Sequence, residues 1–155
     1  MAQPMIRRAT REDIQSLIPL LRLLFSIEED FSFDAKKQQK GLTLLIEQGS
    51  AAIFIAEYNG ETVGMVTGQL LISTAEGGPA LVVEDLVVDP HHRNKKIARY
   101  LLQALGNWAE ERGAHRMQLL ADTSNKEALS FYKKCGWTQT KLICLRKYYK
   151  EQHRE

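Results

Sequence analysis

Residues 91–99 are the most chemically distinctive stretch of this 155-residue chain. The stretch contains four Lys or Arg residues, two His and no acidic residue, so its local charge is +4 with neutral histidines. It follows an apolar run at 81–88 and continues into a helical pattern at 96–112. This places it at the carboxyl end of a strand, where α/β sheets bind ligands. Free amides and the dipole at a helix N-terminus attract anions. We therefore expect a phosphorylated ligand to bind here; an ordinary solvated basic loop is the alternative.

Two carboxylates interrupt the apolar run at 81–88. Glu84 and Asp85 are its only charged residues, and successive side chains of a strand face opposite sides of the sheet. A charged group in such a strand is costly unless it is paired or faces a cleft. One of the two should therefore face the ligand groove, and we select Glu84 as the base or water-orienting residue. A structural ion pair with a neighbouring Lys or Arg is the alternative.

The composition of the whole chain restricts the classes of protein. The formal net charge is +2, from 21 basic and 19 acidic residues, and 44% of the residues are hydrophobic. These values are typical of one globular domain, which we expect over residues 1–155. A charge so close to zero gives no support to a broad nucleic-acid or membrane-binding surface. No apolar run reaches the length of a membrane span or a secretory leader, so we expect a cytoplasmic protein.

The two cysteines, Cys135 and Cys144, give no sign of a metal site. They lie nine positions apart, without the close spacing or the adjacent histidines that zinc requires, so no metal is predicted. We expect both to be small core thiols in a reducing compartment.

Hydrophobic periodicity predicts the elements that must position these groups. Thr10 and Asp13 resemble a capping box, Pro19 should bend or split the first helix, and Asn59-Gly60 predicts a hairpin turn. The predicted elements are strand 5–10, a helix with apolar positions from 14 to 24, helix 35–47, strands 51–58, 61–73 and 81–88, helix 96–112, strand 116–121, helix 124–135 and strand 137–147. The sum is an α/β domain of order βααβββαβαβ, with a mixed central sheet flanked by helices and a helical crossover between two parallel strands.

The basic loop resembles the signature of the GNAT superfamily of acyl-CoA-dependent N-acetyltransferases. That signature is Arg or Gln, two variable residues, Gly, one variable residue, then Gly or Ala, and its amides wrap the CoA pyrophosphate. Here Arg93 and Ala98 match the first and last positions, whereas Lys96 replaces the middle Gly. A second family segment matches at Asn125, Ala128, Tyr132, Gly136 and Trp137. The opening, IRRATREDI, is also similar to the family's first strand and helix, so the resemblance covers nearly the whole chain.

The resemblance implies a GNAT-like fold, acetyl-CoA as the acetyl donor and a set of binding residues. The residues implied to bind the donor are Leu86, Val87, Val88, Arg93, Asn94, Lys95, Lys96, Ile97, Ala98, Arg99 and Asn125. The main chain of 86–88 would pair with pantetheine as an added strand, and the Val88 amide would polarise the thioester carbonyl. Tyr132 would be the general acid beside the CoA sulfur, the alternative being a core aromatic. Helix capping alone would also explain Asn125.

Lys96 is the departure from the motif. Gly is favoured where a backbone approaches a ligand closely or adopts positive φ. We expect a negative φ at this helix start, with the amide still available and the lysine turned outward or reaching a phosphate. The substitution should then weaken or reshape CoA binding more than abolish it. A degenerate relative that does not bind CoA is the alternative.

We predict an N-acetyltransferase that moves the acetyl group to a primary amine of a small molecule or protein, by direct attack in a ternary complex. An alkylammonium with a pKa of about 10.4 is almost entirely charged near pH 7, so a proton acceptor helps. A non-catalytic acyl-CoA sensor or interaction module is the alternative. A dinucleotide enzyme is less favoured, because no glycine-rich fingerprint follows the first strand.

The acceptor is less defined by the sequence. The connection between the first two helices combines acidic and aromatic residues, which suits a cationic amine with some apolar bulk, although an exposed acidic loop would have the same composition. These residues are Glu28, Glu29 and Asp30 with Phe25, Phe31 and Phe33. The sequence leaves the oligomeric state open, a homodimer included.

Overall fold

A computed structural model describes residues 3–150 of the chain. The strands and helices are β1 Met5–Arg8, α1 Ile14–Ile27, α2 Ala35–Glu47, β2 Ala51–Tyr58, β3 Glu61–Ser73, β4 Gly78–Val88, α3 Ile97–Glu111, β5 Met117–Leu119 and α4 Lys126–Lys134. Short 3-10 turns precede α1 and follow β4. The chain divides into two compact units, one up to Leu119 and one from Leu120 onward. None of the helices in the described range is both long and apolar enough to cross a bilayer.

The strands of the first unit form one mixed sheet in the order β1-β2-β3-β4-β5. Pairs from β1 to β4 are antiparallel, whereas β5 is parallel to β4, because α3 carries the chain back between them. The α/β class, the mixed sheet and the parallel crossover are therefore confirmed. The predicted bounds of α2, β2 and β3 are also confirmed.

Both faces of the sheet are covered. On one face, a buried cluster joins leucines of α1 and Leu42 of α2 to Ile53, Ile55, Met65 and Val87 of the strands. On the other face α3 packs so closely that a methyl group on Gly68 of β3 would lie 2.8 Å from the side chain of Leu105. Any residue larger than Gly at this position would force the side chains of Leu105 and Leu81 to move.

The first helix is continuous through Pro19, so the predicted split does not occur. Proline removes one backbone donor, but it leaves the rest of the helical ladder intact. Leu17, Leu20, Leu21 and Leu24 on either side of it are all buried in the core. Their packing outweighs the loss of one hydrogen bond.

Residues 137–147 form no strand, so the predicted final strand is wrong. Leu142, Ile143 and Leu145 are 80–86% exposed, and within residues 3–150 no backbone ladder joins this segment to another strand. A β-rich sequence becomes a strand only where a neighbouring strand accepts and donates its backbone hydrogen bonds. Cys144 in this segment is exposed and Cys135 is half-buried, so the core prediction is wrong for Cys144.

Arg7 ties β1 to the turn that starts α1. Its guanidinium donates to the two carboxylate oxygens of Asp13 at 2.8 and 2.9 Å and also pairs with Glu57 of β2. The same carboxylate accepts a hydrogen bond from the Thr10 amide at 2.7 Å, which completes the predicted capping box. These hydrogen bonds, that of Arg7 above all, lower the pKa of Asp13 to about 2, although its burial acts in the opposite direction.

Asp13→Asn should lower the free energy of unfolding at pH 7 by about 1–3 kcal/mol, because it weakens charge-assisted hydrogen bonds and leaves Arg7 short of a partner. The pKa of Asp13 is lower in the folded state than in the unfolded state, so its contribution is present above pH 4 and fades as the pH falls toward 2. Urea denaturation at pH 7 and at pH 3 measures both effects. Glu47→Gln is the control: its exposed pair with Arg11 should contribute under about 1 kcal/mol. Equal losses in the two variants would contradict the prediction.

Candidate active site

One edge of β4 is only partly covered by a neighbouring strand. Residues 81–83 pair with 117–119 of β5, and beyond Val83 no strand of the described residues pairs with that edge. On its opposite edge, β4 remains paired with β3 as far as Val88. Residues 84–88 therefore present backbone groups that an extended ligand could pair with, as predicted for 86–88. We call this stretch the free edge.

A β-bulge lies within the free edge. Met65 pairs with Val87 but Thr67 pairs with Glu84, so two residues of β4, Asp85 and Leu86, share one position opposite β3. Asp85 has a φ of 51°, in the left-handed region, which Asp tolerates better than most residues. The bulge interrupts the alternation of side chains on which the sequence analysis relied.

The bulge brings both carboxylates to the same side of the sheet. The Thr67 hydroxyl, opposite Glu84, donates a hydrogen bond to Asp85 at 3.1 Å. Glu84 is exposed and Asp85 is half-buried. Burial and, to a lesser degree, repulsion by Glu84 raise the pKa of Asp85 to about 6, while the Thr67 hydrogen bond opposes the rise. Neither carboxylate forms an ion pair with a Lys or Arg of residues 3–150, so the structural ion-pair alternative is not observed.

The loop after β4 has the backbone geometry of an anion site. Asp89 starts it by accepting a hydrogen bond from the His91 amide at 2.9 Å. Asn94 and Lys96 have φ values of 67° and 61°, and Lys96 is the N-cap of α3. Left-handed residues in a loop turn neighbouring amides toward one side, and the first amides of a helix have no acceptor within it. The region therefore concentrates N–H donors in addition to its cationic side chains.

The expected negative φ at Lys96 is wrong. Lys96 precedes the helix as its N-cap, and helical geometry begins only at Ile97, which is buried against the core. The motif glycine thus occupies a position that requires positive φ. A lysine held there costs roughly 1–2 kcal/mol relative to an unstrained backbone.

Lys95 differs from the other cations of the loop. Its ammonium lies 3.3 Å from His92 Nδ1 and 4.4 Å from the centre of the Tyr58 ring, and the two rings also contact each other. Lys95 therefore holds the loop against the end of β2. Arg93, Lys96 and Arg99 have exposed side chains. Tyr58 and His92 were missed by sequence reasoning, because no spacing pattern relates the end of β2 to this loop.

The second family segment, in the second unit, builds a specific helix end. Gly136 has a φ of 93°, its amide donates to the carbonyl of Lys133 at 3.1 Å, and the Trp137 amide donates to the carbonyl of Tyr132 at 3.0 Å. This is the Schellman arrangement, which needs a left-handed residue after the helix. The Tyr132 ring contacts Trp137 at 5.8 Å and Phe131 at 5.4 Å between ring centres. The glycine and the tryptophan of the segment thus orient Tyr132 on its own helix end.

Asn125 begins the same helix. Its side-chain oxygen accepts a hydrogen bond from the Ala128 amide at 3.0 Å, so the capping function is observed. Its side-chain NH₂ group keeps two donors for other partners. The first unit thus contains Glu84, Asp85 and the basic loop, while Tyr132 and Asn125 belong to the second unit. Their roles toward a ligand stay predictions.

A groove of about 600 Å³ lies on the first unit near the start of the loop. It is lined by α1, by the β2–β3 turn and by the start of the loop: Ser16, Pro19, Leu20, Leu23, Gly60, Glu61, Thr62, Asp89, Pro90 and His91. No pattern in the sequence predicts this groove, because its walls come from three separate segments.

These features define an α/β protein with a free strand edge and a basic loop at the carboxyl end of the same strand. The model of the acetyltransferase (GNAT) family matches residues 16–137. The chain therefore belongs to this family, and the predicted class of enzyme is confirmed.

Individual relatives agree with this assignment. The chain is 25% identical over 140 residues to an uncharacterized N-acetyltransferase of Methanocaldococcus jannaschii, covering 89% of this chain but only 62% of that protein. It is 27% identical over 135 residues to the aminoalkylphosphonate N-acetyltransferase of Salmonella typhimurium, covering 87% and 85% of the two chains. The structure of aminoglycoside N-acetyltransferase AAC(6')-Iy in complex with CoA has a TM-score of 0.82 at 17% identity, covering 98% and 97%. At that identity, the last likeness shows the fold alone.

Lys96→Gly should raise the free energy of unfolding by about 1 kcal/mol, because glycine adopts positive φ without the steric cost that lysine bears. Urea denaturation measures the change. Arg99→Gly, in the first turn of α3, is the matched control and should lose about 0.5–1 kcal/mol, since glycine there only loosens a helix. If both glycine variants were destabilised alike, Lys96 would not be left-handed in solution.

Proposed function

We propose that the protein is an acetyl-CoA-dependent N-acetyltransferase that acetylates a primary amine by direct attack in a ternary complex. The observation that carries the proposal is the free edge of β4, which runs from the Glu84–Asp85 pair to the basic loop. An extended pantetheine arm needs such an edge between a pyrophosphate at one end and a thioester at the other. The similar proteins include an aminoalkylphosphonate N-acetyltransferase, which supports the same class of reaction.

The donor is held by the free edge and the loop. The amides of 93–98 surround the pyrophosphate, and the exposed cations Arg93, Lys96 and Arg99 add charge. Lys95 contributes by holding the loop in place. The main chain of 86–88 pairs with pantetheine between the pyrophosphate and the Glu84–Asp85 pair. The free NH₂ of Asn125 donates to the pantetheine arm.

The chemistry needs one proton acceptor and one proton donor. A carboxylate of the Glu84–Asp85 pair accepts a proton from the ammonium, directly or through water that Glu84 orients. The neutral amine attacks the carbonyl carbon, the C–N bond forms and the C–S bond breaks. Tyr132 protonates the departing thiolate and regains a proton from the attacking nitrogen.

The acceptor is a cationic amine with some apolar bulk. The connection after α1 carries Glu28, Glu29 and Asp30 beside a tilted pair of aromatic rings: Phe25 contacts Phe31 at 6.0 Å between ring centres. Arg22 lies over the Phe33 ring at 4.6 Å. The acidic groups suit an ammonium and the rings suit its carbon skeleton. Aminoalkylphosphonates and aminoglycosides, after which two of the similar proteins are named, are cationic amines of this kind.

We further propose that the enzyme works in the cytoplasm, since both cysteines are free thiols, as in a reducing compartment. A homodimer that covers the exposed side chains Leu142, Ile143 and Leu145 is compatible with the structure. The proposed acceptor is an amine of a small molecule or a lysine of a protein.

Calorimetry with acetyl-CoA tests the donor site. The unmodified protein should bind, and Arg93→Glu should weaken binding by about 10- to 100-fold, through the loss of a charge-assisted contact and the gain of a repulsive charge. The variant should also show a flatter dependence of affinity on salt. Lys40→Glu, the same charge change on α2, is the control and should bind normally. An unaltered affinity for Arg93→Glu would place the phosphate site elsewhere.

Turnover is then scored by release of CoA thiol with spermidine, glucosamine, kanamycin, aminoethylphosphonate and a lysine peptide. Acetylation of any of them supports the enzyme. Binding of acetyl-CoA without turnover on any acceptor would favour the non-catalytic sensor, and no heat at millimolar acetyl-CoA would remove the donor from the proposal.

Tyr132→Phe should lower kcat roughly 10²-fold with little change in the KM for acetyl-CoA, because the general acid acts only when the thiolate leaves. Steady-state kinetics across pH measure this. Tyr149→Phe, a hydroxyl loss at a 93% exposed ring, is the matched control. Equal rates in the two variants at every pH would assign Tyr132 a purely structural role.

A further inference from the structure

We propose that Asp85 is the group that takes the proton from the acceptor ammonium, while Glu84 attracts and orients the amine beside it. This inference rests on the proposed N-acetyltransferase function and assigns separate tasks to the two carboxylates at the bulge.

The backbone at Asp85 is the first reason. Of the four non-glycine residues with positive φ in the described part of the chain, Asp85 alone lies inside a strand. The other three, Asn59, Asn94 and Lys96, lie in a turn, in a loop and at a helix N-cap. A left-handed residue in a strand persists only where the surrounding structure enforces it, and such positions cluster at functional sites. Here its effect is to turn a second carboxylate toward the side that Glu84 already occupies.

The surroundings of the carboxylate are the second reason. Thr67, 2% exposed, donates its hydroxyl to Asp85 Oδ2 at 3.1 Å and so fixes the orientation of the carboxylate. The other oxygen, Oδ1, has no protein donor within hydrogen-bond distance in residues 3–150. It is therefore available to accept a proton from an amine or from a water molecule. Glu84 is exposed and makes no such contact, which suits capture of a cation more than proton transfer.

The charges around Asp85 are consistent with this task. Apart from Glu84, the elements packed on this side of β4 carry few charged groups: α1 has only Arg22 and β3 only Glu61. Arg22 lies over the Phe33 ring and Glu61 lines the groove near the β2–β3 turn. No Lys or Arg of residues 3–150 therefore pairs with Asp85, and its pKa is raised to about 6 by burial and by Glu84. Relative to an ordinary Asp, this makes it about a hundredfold stronger as a base, yet it stays mostly ionised at neutral pH.

The proton balance of the step is complete. The ammonium gives one proton to Asp85, which becomes a neutral carboxylic acid, and the amine nitrogen is left with its lone pair. Attack forms the C–N bond and expels the thiolate, which Tyr132 protonates. The nitrogen returns its second proton to Tyr132, and Asp85 releases its proton to solvent before the next turnover.

The test compares Asp85→Asn with Glu84→Gln by measuring kcat/KM for kanamycin or glucosamine at saturating acetyl-CoA from pH 5 to 9. Asn tolerates positive φ and still accepts from Thr67, so the fold should be kept. We expect Asp85→Asn to lower kcat/KM roughly 10²-fold and to remove the fall in rate below pH 6, with unchanged acetyl-CoA affinity by calorimetry. Glu84→Gln should retain this fall but move it to lower pH, because a repulsive neighbour is lost.

Each other outcome has a distinct meaning. Retained activity and an unchanged pH profile in Asp85→Asn would overturn the assignment of Asp85 and leave the acetyltransferase intact. If only Glu84→Gln lost the fall in rate below pH 6, Glu84 would be the base. A wild-type protein that acetylates no amine would overturn the proposed function and the role of Asp85 with it. As a check on folding, Asp85→Asn should melt at a higher temperature than the wild type above pH 6, since a buried carboxylate no longer has to ionise.

Discussion

The backbone of β4 has to serve as a packed central strand and as an open edge at the same time. Its first half is held by β3 and β5 and buries Leu81 and Val83. Its second half loses β5 as a neighbour, and unpaired backbone groups inside a protein are costly unless water or a ligand satisfies them. The bulge at Asp85 separates the two halves: it shifts the register by one residue and returns Val87 to the buried cluster under α1. The basic loop and the carboxylate pair are both positioned by this single strand.

The strain in the chain is concentrated where the proposed chemistry lies. Asp85, Asn94 and Lys96 hold three of the four positive φ values found at non-glycine residues of the described range, and all three follow the point where β5 ends its pairing. Asp85 adds the cost of a half-buried carboxylate. Such features persist because the rest of the first unit is strongly packed, with Leu17, Leu101 and Leu105 fully buried. A fold optimised for stability alone would have neither the positive φ values nor the half-buried carboxylate. Destabilising features of this kind are expected at functional sites.

Local signals in the sequence define most of the fold. The bounds of α2, β2 and β3 follow from periodicity and from the Asn59-Gly60 turn, and in the structure Asp34 caps α2 by accepting hydrogen bonds from two of its first amides. The wrong predictions concern features that depend on another part of the chain. The bulge depends on the register between two strands, so it could not be read from β4 itself, and Glu84 and Asp85 were assigned to opposite faces. The sign of φ at Lys96 depended on whether the helix starts at that residue or at the next one. A strand at 137–147 needs a neighbour that its own residues do not supply.

The net charge of +2 is the sum of a basic loop and an acidic pair that lie at different places along the chain. The proposed chemistry requires that these two groups of charges stay apart. The cations of the loop suit a pyrophosphate, but the same charges close to Asp85 would lower its pKa and remove its ability to accept a proton. In the structure no Lys or Arg of the described residues pairs with Glu84 or Asp85, while Lys95 is held by Tyr58 and His92 at the end of β2. Residues 86–88 of the free edge lie between the carboxylate pair and the loop, so the proposed extended donor would connect the two without bringing their charges together. In the proposed enzyme, these residues would bind pantetheine and would also keep the base away from the cations that hold the phosphates.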